Sequence, residues 1–295
     1  MINQRTYPER QDETSQDLRK LVDTITDLPS FPAAIQKATA VAADPRASAA
    51  DLAAVIEVDA ALTTKVLRIT NSAFYGFSRE ISTVKEGVVI LGFSAVRSLA
   101  VAVSAMKMFR GENSQRFNHE KFWYHCACSA FVAQQIGQLA PLPGGNDAFT
   151  AALLHDIGKI ALDQYAHDAF MRLLETQRQR CSFTVAVEQE MIKTTHAEIG
   201  RHLTERWKLP VLLCEAIGGH HDPSLAGKHA VLAMLSGLAD LICTLNGIPS
   251  VIEARASAVP AEWLRLLKIS SNVLEQVQSR FPDIRRNAQG LIENV

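Results

Sequence analysis

Thr150–Tyr165 reads TAALLHDIGKIALDQY. Apolar residues recur through it at helical spacing, and His155, Asp156 and Lys159 interrupt an otherwise hydrocarbon surface. The pattern predicts one strongly apolar helix on which an adjacent His and Asp both face partly inward. A buried carboxylate without a partner is costly, so Asp156 needs a cation or a donor beside it.

Outward from this stretch almost every segment carries the same period. Leu18, Leu21, Val22 and Ile25 share one face of residues 14–27, and residues 33–43 are Ala-rich. Ser48 with Asp51, Asp59 alone, and Thr83 with Glu86 mark three further helix starts. Leu91-Gly92-Phe93 turns a corner before a helix from Ser94 to Met108. No window alternates with period two long enough to make a strand, and Pro and Gly fall at the joints. The fold class is all-α.

All nine histidines lie between His119 and His229. That asymmetry, with the polar run RGENSQRFNHE at the changeover, predicts two packed helical lobes. The divisions are a polar N-terminal tail over 1–21, a first lobe over 22–110, a histidine-rich lobe over 111–245 and a helical tail over 246–295. In the tail, WLRLL and NVLEQV supply the apolar stripes.

Of 295 residues, 47% are apolar and 21% charged, which provides a sizeable core and excludes an extended disordered chain. Thirty Lys+Arg against 31 Asp+Glu leave a net charge of −1, arguing against a nucleic-acid coat or an anionic-membrane binder. Five cysteines are too few and too odd in number for a disulfide scaffold, and Cys126 and Cys128 read as small core residues. MINQRTYPERQDETSQD has no apolar signal region, so a cytoplasmic location is expected. Gly87–Met106 is apolar but carries Arg97 near its middle, which costs about 2.5–3.5 kcal/mol at a bilayer centre. It predicts two buried helices rather than a membrane span. A helix-turn-helix around Leu91-Gly92-Phe93 is the weaker reading, because Arg97 is nearly alone among residues able to read bases.

Six elements could carry chemistry: His125, His155-Asp156, Lys159, His196, His220-His221 and Asp240. Each has an ordinary reading. His125 lies on an apolar helix, His196 follows Thr195 in a capping box with Glu198, and His220-His221 follow two glycines in a turn-like run. His119, His167, His202 and His229 are left as ordinary. Asp240 resists such a reading, since its helical stripe (Ala233, Gly237, Asp240, Thr244) offers only small neighbours and no basic partner. Inward carboxylates and several imidazoles on separate helices suit one or two divalent transition metals, namely iron, manganese, nickel or zinc rather than magnesium or calcium.

The order His125, His155-Asp156, Asp240 resembles the ligand order of the HD superfamily of metal-dependent phosphohydrolases. LPSFP, the segment Asp59–Leu67, NSAFYG and ILGFSAVRSL resemble the HDOD domain, an HD-related output domain of bacterial signalling proteins. This likeness spans residues 22–245. It implies that His125, His155, Asp156 and Asp240 hold one metal. A second would sit on His196, His220 and His221, with Asp156 bridging and iron the first choice. It implies catalytic roles for Asp156 and for Lys159, the latter on a phosphate oxygen. Lys121 stands where a third-metal glutamate would sit, so no third ion is expected. HDOD domains commonly lack much of this set, whereas this chain retains it. Two functions follow from the resemblance. One is a signalling protein acting through protein partners around a dinuclear metal centre. The alternative is a metal-dependent phosphodiesterase taking a phosphodiester or nucleotide such as a cyclic dinucleotide. Oligomeric state is not legible.

Overall fold

Capping side chains set where the helices begin. The computed structural model describes residues 31–71, 77, 79–109, 117–140, 142–182, 184–251 and 258–293, and every regular element among them is helical. The first lobe runs α1 (Ala33–Ala43), α2 (Ala49–Ile56), α3 (Ala60–Thr70), α4 (Val84–Leu91) and α5 (Phe93–Met108). Ser48 and Asp51 form a reciprocal capping box on α2, and Asp59 accepts the Leu62 N–H at the head of α3. Thr83 accepts the Glu86 N–H at the head of α4, while Glu86 reaches back to the Ser82 N–H. The expected helix over 14–27, residues 72–76 of NSAFYG and residues 110–116 lie outside the described residues.

Gly92, at φ +87°, makes the corner between α4 and α5 and so splits the apolar stretch 87–106. The middle of α5, Val96–Met106, is continuously buried. Arg97 is only 5% exposed and pairs with Asp147 across the lobes, so it is not displayed to a nucleic acid.

The second lobe comprises α6 (His119–Leu139), α7 (Ala148–Leu154), α8 (Ile157–Tyr165), α9 (His167–Gln179), α10 (Val185–Ile192), α11 (His196–Arg206), α12 (Val211–Gly219) and α13 (Ala230–Leu245). Here the expectation of one helix over 150–165 is corrected. The chain leaves helical geometry at Asp156 (φ −97°, ψ 8°), ending α7 and starting α8. On an unbroken helix adjacent side chains diverge by about 100°. The break lets His155 and Asp156 enter one centre.

One continuous core joins the lobes. Trp207 stacks on Phe31 with centroids 4.4 Å apart and meets Phe109 at 5.8 Å. The tail helices are α14 (Ala261–Leu266), α15 (Ser271–Ser279) and α16 (Phe281–Glu293). α16 lies against α6 and buries Phe281, Ile284, Ala288 and Leu291. Among the described residues one run, Pro223–Leu245, is long and apolar enough to cross a bilayer. It is no single helix, because Gly227 interrupts it (φ 50°, ψ −121°), and most of α13 is buried in the core.

Candidate metal centre

Five segments of the second lobe converge on Asp156. His125 comes from the middle of α6, and His155 with Asp156 from the α7–α8 break. His196 is the first residue of α11, placed by the Thr195–Glu198 capping box. His220 and His221 follow α12, and Asp240 lies on α13. Glycines allow this approach. A Cβ on Gly158 would lie 2.8 Å from the His196 carbonyl carbon, and one on Gly237 would collide with the His220 carbonyl oxygen.

Two groups share Asp156. His125 and His155 face one side of it, and His196, His220 and His221 the other. His155 Nε2 lies 3.4 Å from Oδ2, and His196 Nε2 lies 3.1 Å from Oδ1. Asp240 Oδ1 is 3.2 Å from His125 Nε2 and 3.9 Å from His155 Nε2. Neighbouring Nε2 atoms sit close together: His125–His155 3.4 Å, His196–His220 3.3 Å and His196–His221 3.0 Å. All seven expected ligands are therefore brought together.

The tautomers make this convergence informative. His125, His155 and His220 donate their Nδ1–H to the carbonyls of Ile248 (2.6 Å), Ala152 (2.6 Å) and Ile217 (2.7 Å). His196 donates its Nδ1–H to Glu188 at 2.8 Å. With those protons spent outward, the rings turn their Nε2 atoms toward one another and toward the carboxylates. Asp156 Oδ1, buried, has no hydrogen-bond partner. Nitrogens so crowded repel as lone pairs unless positive charge, a proton or a metal cation, stands between them. Metal bonds of about 2.0–2.2 Å would space neighbouring ligands roughly 3 Å apart, which matches these gaps. The donor set thus fits a divalent metal.

The electrostatics agree. Burial opposes charging His155, but Asp156 outweighs it and leaves the ring above its ordinary value. Glu188 does the same for His196. Burial and the surrounding rings push His220 well down, and burial with His196 takes His221 to about 4. Burial alone would raise the Asp156 carboxyl, yet His155 and Lys159 hold it well below the usual range. Asp240 is likewise held low against burial by the bond with His125. In the ion-free chain His155 and His196 hold a proton more firmly than a free imidazole does, and a cation at Nε2 competes with that proton. Metal uptake should release protons, and affinity should fall as pH drops and both rings hold their protons more firmly. Calorimetric titration with Zn(II) in two buffers of different ionisation enthalpy, between about pH 6 and 8, checks this. Uptake without proton release would show that the rings are already neutral.

Three contributors were not anticipated. Glu188, buried on α10, accepts both the ring N–H and the main-chain N–H of His196. The Ile248 carbonyl fixes His125, and Ser250 Oγ accepts from Lys159 at 3.0 Å. Lys159 itself donates to Asp156 Oδ2 at 2.7 Å and lies at the partly open edge with Asp240 and His221, a residue exposed on one side whose Nε2 is turned inward against His196. Of the histidines left as ordinary, His119 and His167 both bind Asp163, at 2.6 and 2.9 Å. His202 and His229 pair with Glu205 and Glu215. Among the described residues all cysteines are free, and Cys126 and Cys128 are core residues.

Comparisons with known proteins bear on this geometry. The HDOD domain family matches the chain over residues 28–223. An uncharacterised Treponema pallidum (strain Nichols) protein is 26% identical over 218 residues, covering 72% of this chain. The aligned region is 41% of that relative's own length, so this chain spans less than half of it. An HDOD domain protein from Geobacter sulfurreducens has a similar structure, with TM-score 0.78 and 22% identity over 94% of this chain and 98% of its own. A candidate signal transduction protein from Marinobacter aquaeolei VT8 follows at TM-score 0.74 and 22% identity, covering 96% of this chain and 66% of its own. A candidate phosphohydrolase from Shewanella amazonensis SB2B has TM-score 0.69 and 22% identity, covering 92% and 98%. At these identities the structural likeness concerns the fold.

Proposed function

The chain belongs to the HDOD domain family, and on that premise we propose that it is a signal-transduction protein of the cytoplasm built around a dinuclear transition-metal centre. His125, His155, Asp156 and Asp240 would hold one ion, and His196, His220, His221 and the other oxygen of Asp156 the second. Iron is the first candidate, with manganese, nickel and zinc as the others. The observation that carries this reading is the inward convergence of imidazole Nε2 atoms on the two oxygens of the buried Asp156 carboxylate. Burial supports a regulatory rather than a turnover role: His125, His155 and His220 are wholly enclosed. An enclosed centre ties five segments together, so its occupancy can set the shape offered to a partner protein. The Marinobacter aquaeolei relative, by its description, supports the signalling assignment.

Elemental analysis of protein purified without affinity tag or chelator tests the proposal. About two equivalents of transition metal are expected, as at other two-metal centres. A well-folded, metal-free protein would overturn it.

A second reading, a metal-dependent phosphodiesterase, is favoured by one observation. Lys159 stands beside Asp156 at the open edge, with Ser250 next to it. There its ammonium could bind a phosphate oxygen while the metals supply charge stabilisation. Lys159→Met should then abolish hydrolysis of a phosphodiester such as a cyclic dinucleotide while leaving bound metal unchanged. Turnover that survives the substitution removes Lys159 from the chemistry.

A further inference from the structure

The two-ion reading leaves open whether the two positions are equivalent, and the surroundings of Asp156 are not symmetric. On its Oδ2 side stand His125, His155 and Asp240, and Lys159 Nζ, 2.7 Å from Oδ2, offsets one of the two carboxylate charges there, whereas at His196 the same lysine is outweighed by Glu188. On its Oδ1 side stand His196, His220 and His221, and Oδ1 receives no hydrogen bond. The rings are also anchored differently. His125, His155 and His220 lean on neutral carbonyls, whereas His196 leans on the Glu188 carboxylate, both of whose oxygens lie 2.8 Å from Nδ1. A carbonyl orients an imidazole. A carboxylate also makes its far nitrogen a stronger donor to a cation.

Glu188 is only 4% exposed, so its charge acts with little water to screen it. Its second bond, from the His196 main-chain N–H at 2.7 Å, has an ordinary explanation. The first N–H groups of a helix lack partners within it, and a carboxylate there is favourable. That capping role does not require the ring contact. From the charge on one side and the lysine on the other, we propose that Glu188 is a positioning residue for His196. It makes the His196/His220/His221 position bind the tighter, first-filled ion, and leaves the Asp240 position the exchangeable one. The proposal rests on the two-ion reading above.

Stepwise titration of the chelator-stripped full chain with Co(II), followed by visible absorption and calorimetry, tests it. The wild type should load in two resolved steps with different spectra. Glu188→Gln keeps an acceptor oxygen but removes the charge, and should weaken the first step about 10- to 100-fold while altering only its spectrum. Asp240→Asn should weaken the second step instead. Two equal steps in the wild type, or Glu188→Gln weakening both steps alike, would overturn the proposal while the two-ion reading stands. So would a lower melting temperature of the stripped Glu188→Gln protein with both cobalt steps unchanged, the signature of a cap alone. No cobalt uptake by the wild type would overturn the two-ion reading and this proposal together. If Glu188→Gln does not fold, Glu188→Asp takes its place: it keeps the charge but shortens the reach to His196 Nδ1, and a first step as tight as the wild type's would overturn the role of Glu188.

Discussion

Asp156→Ala protein is expected to carry no stoichiometric transition metal after chelator-free purification, against about two equivalents in the wild type. Both ligand groups depend on this one side chain, so its loss removes an oxygen from each. The substitution also strips Lys159 of its 2.7 Å partner, leaving the ammonium with Ser250. Breaking a buried ion pair on one side costs about 3–5 kcal/mol, and Lys159, at a partly open edge, should sit at the lower end. Scanning calorimetry alongside elemental analysis separates the two losses. Asp156→Asn is the control: its amide keeps the volume and an acceptor for Lys159, so it should lose metal with a smaller loss of stability. Asp156→Ala with a full metal complement would place the ions elsewhere.

Gly158→Ala, which adds one methyl, should be nearly as damaging. The new Cβ would stand 3.0 Å from Gly200 N, and closer still to the main chain of His196. These are backbone atoms that no rotamer change can move aside, so α8 and α11 must separate. Overpacking of this kind costs about 3 kcal/mol at its upper range. The separation also carries His196 away from Asp156, so the variant should lose metal at that position first. A thermal melt with cobalt titration reads both effects. Gly290→Ala is the control, since a Cβ in that helix meets nothing within 4 Å. It should be neutral or stabilising by up to about 1 kcal/mol. Equal melting temperatures for the two variants would show that the α8–α11 crossing yields more easily than its geometry implies.

Much of this arrangement was legible in residue types. The capping boxes at Ser48–Asp51 and Thr195–Glu198 form as expected, because a cap is a local bond between residues three apart. Asp240 was conspicuous for a related reason: a carboxylate on a stripe of small apolar residues has no local partner, so its partner had to come from another helix. That partner is His125. Other features left no local trace. The break at His155-Asp156 lies inside an apolar run, and periodicity does not register an interruption flanked by buried residues on both sides. Glu188, in VAVEQEMI, looks like a solvated helix carboxylate. It is buried because the α10–α11 corner folds it beneath His196. Arg97 looked like an obstacle within an apolar stretch. Asp147, fifty positions away, neutralises it.

By itself the sequence determined the helical class, the gathering of histidines into the second half, and the side chains that needed partners. Spacing along a chain records which face of a helix must be buried and which residue types it carries. Tertiary structure alone decided that one oxygen of Asp156 faces His155 and the other His196, that Lys159 occupies the first side, and that Glu188 stands behind the second. The Asp156–His196 relation joins residues 40 positions apart, and the others depend on the helix break at Asp156 and on the α10–α11 corner. Helix crossings set them, through contacts such as Gly158 against His196, and helical periodicity carries no information about what a buried face will meet.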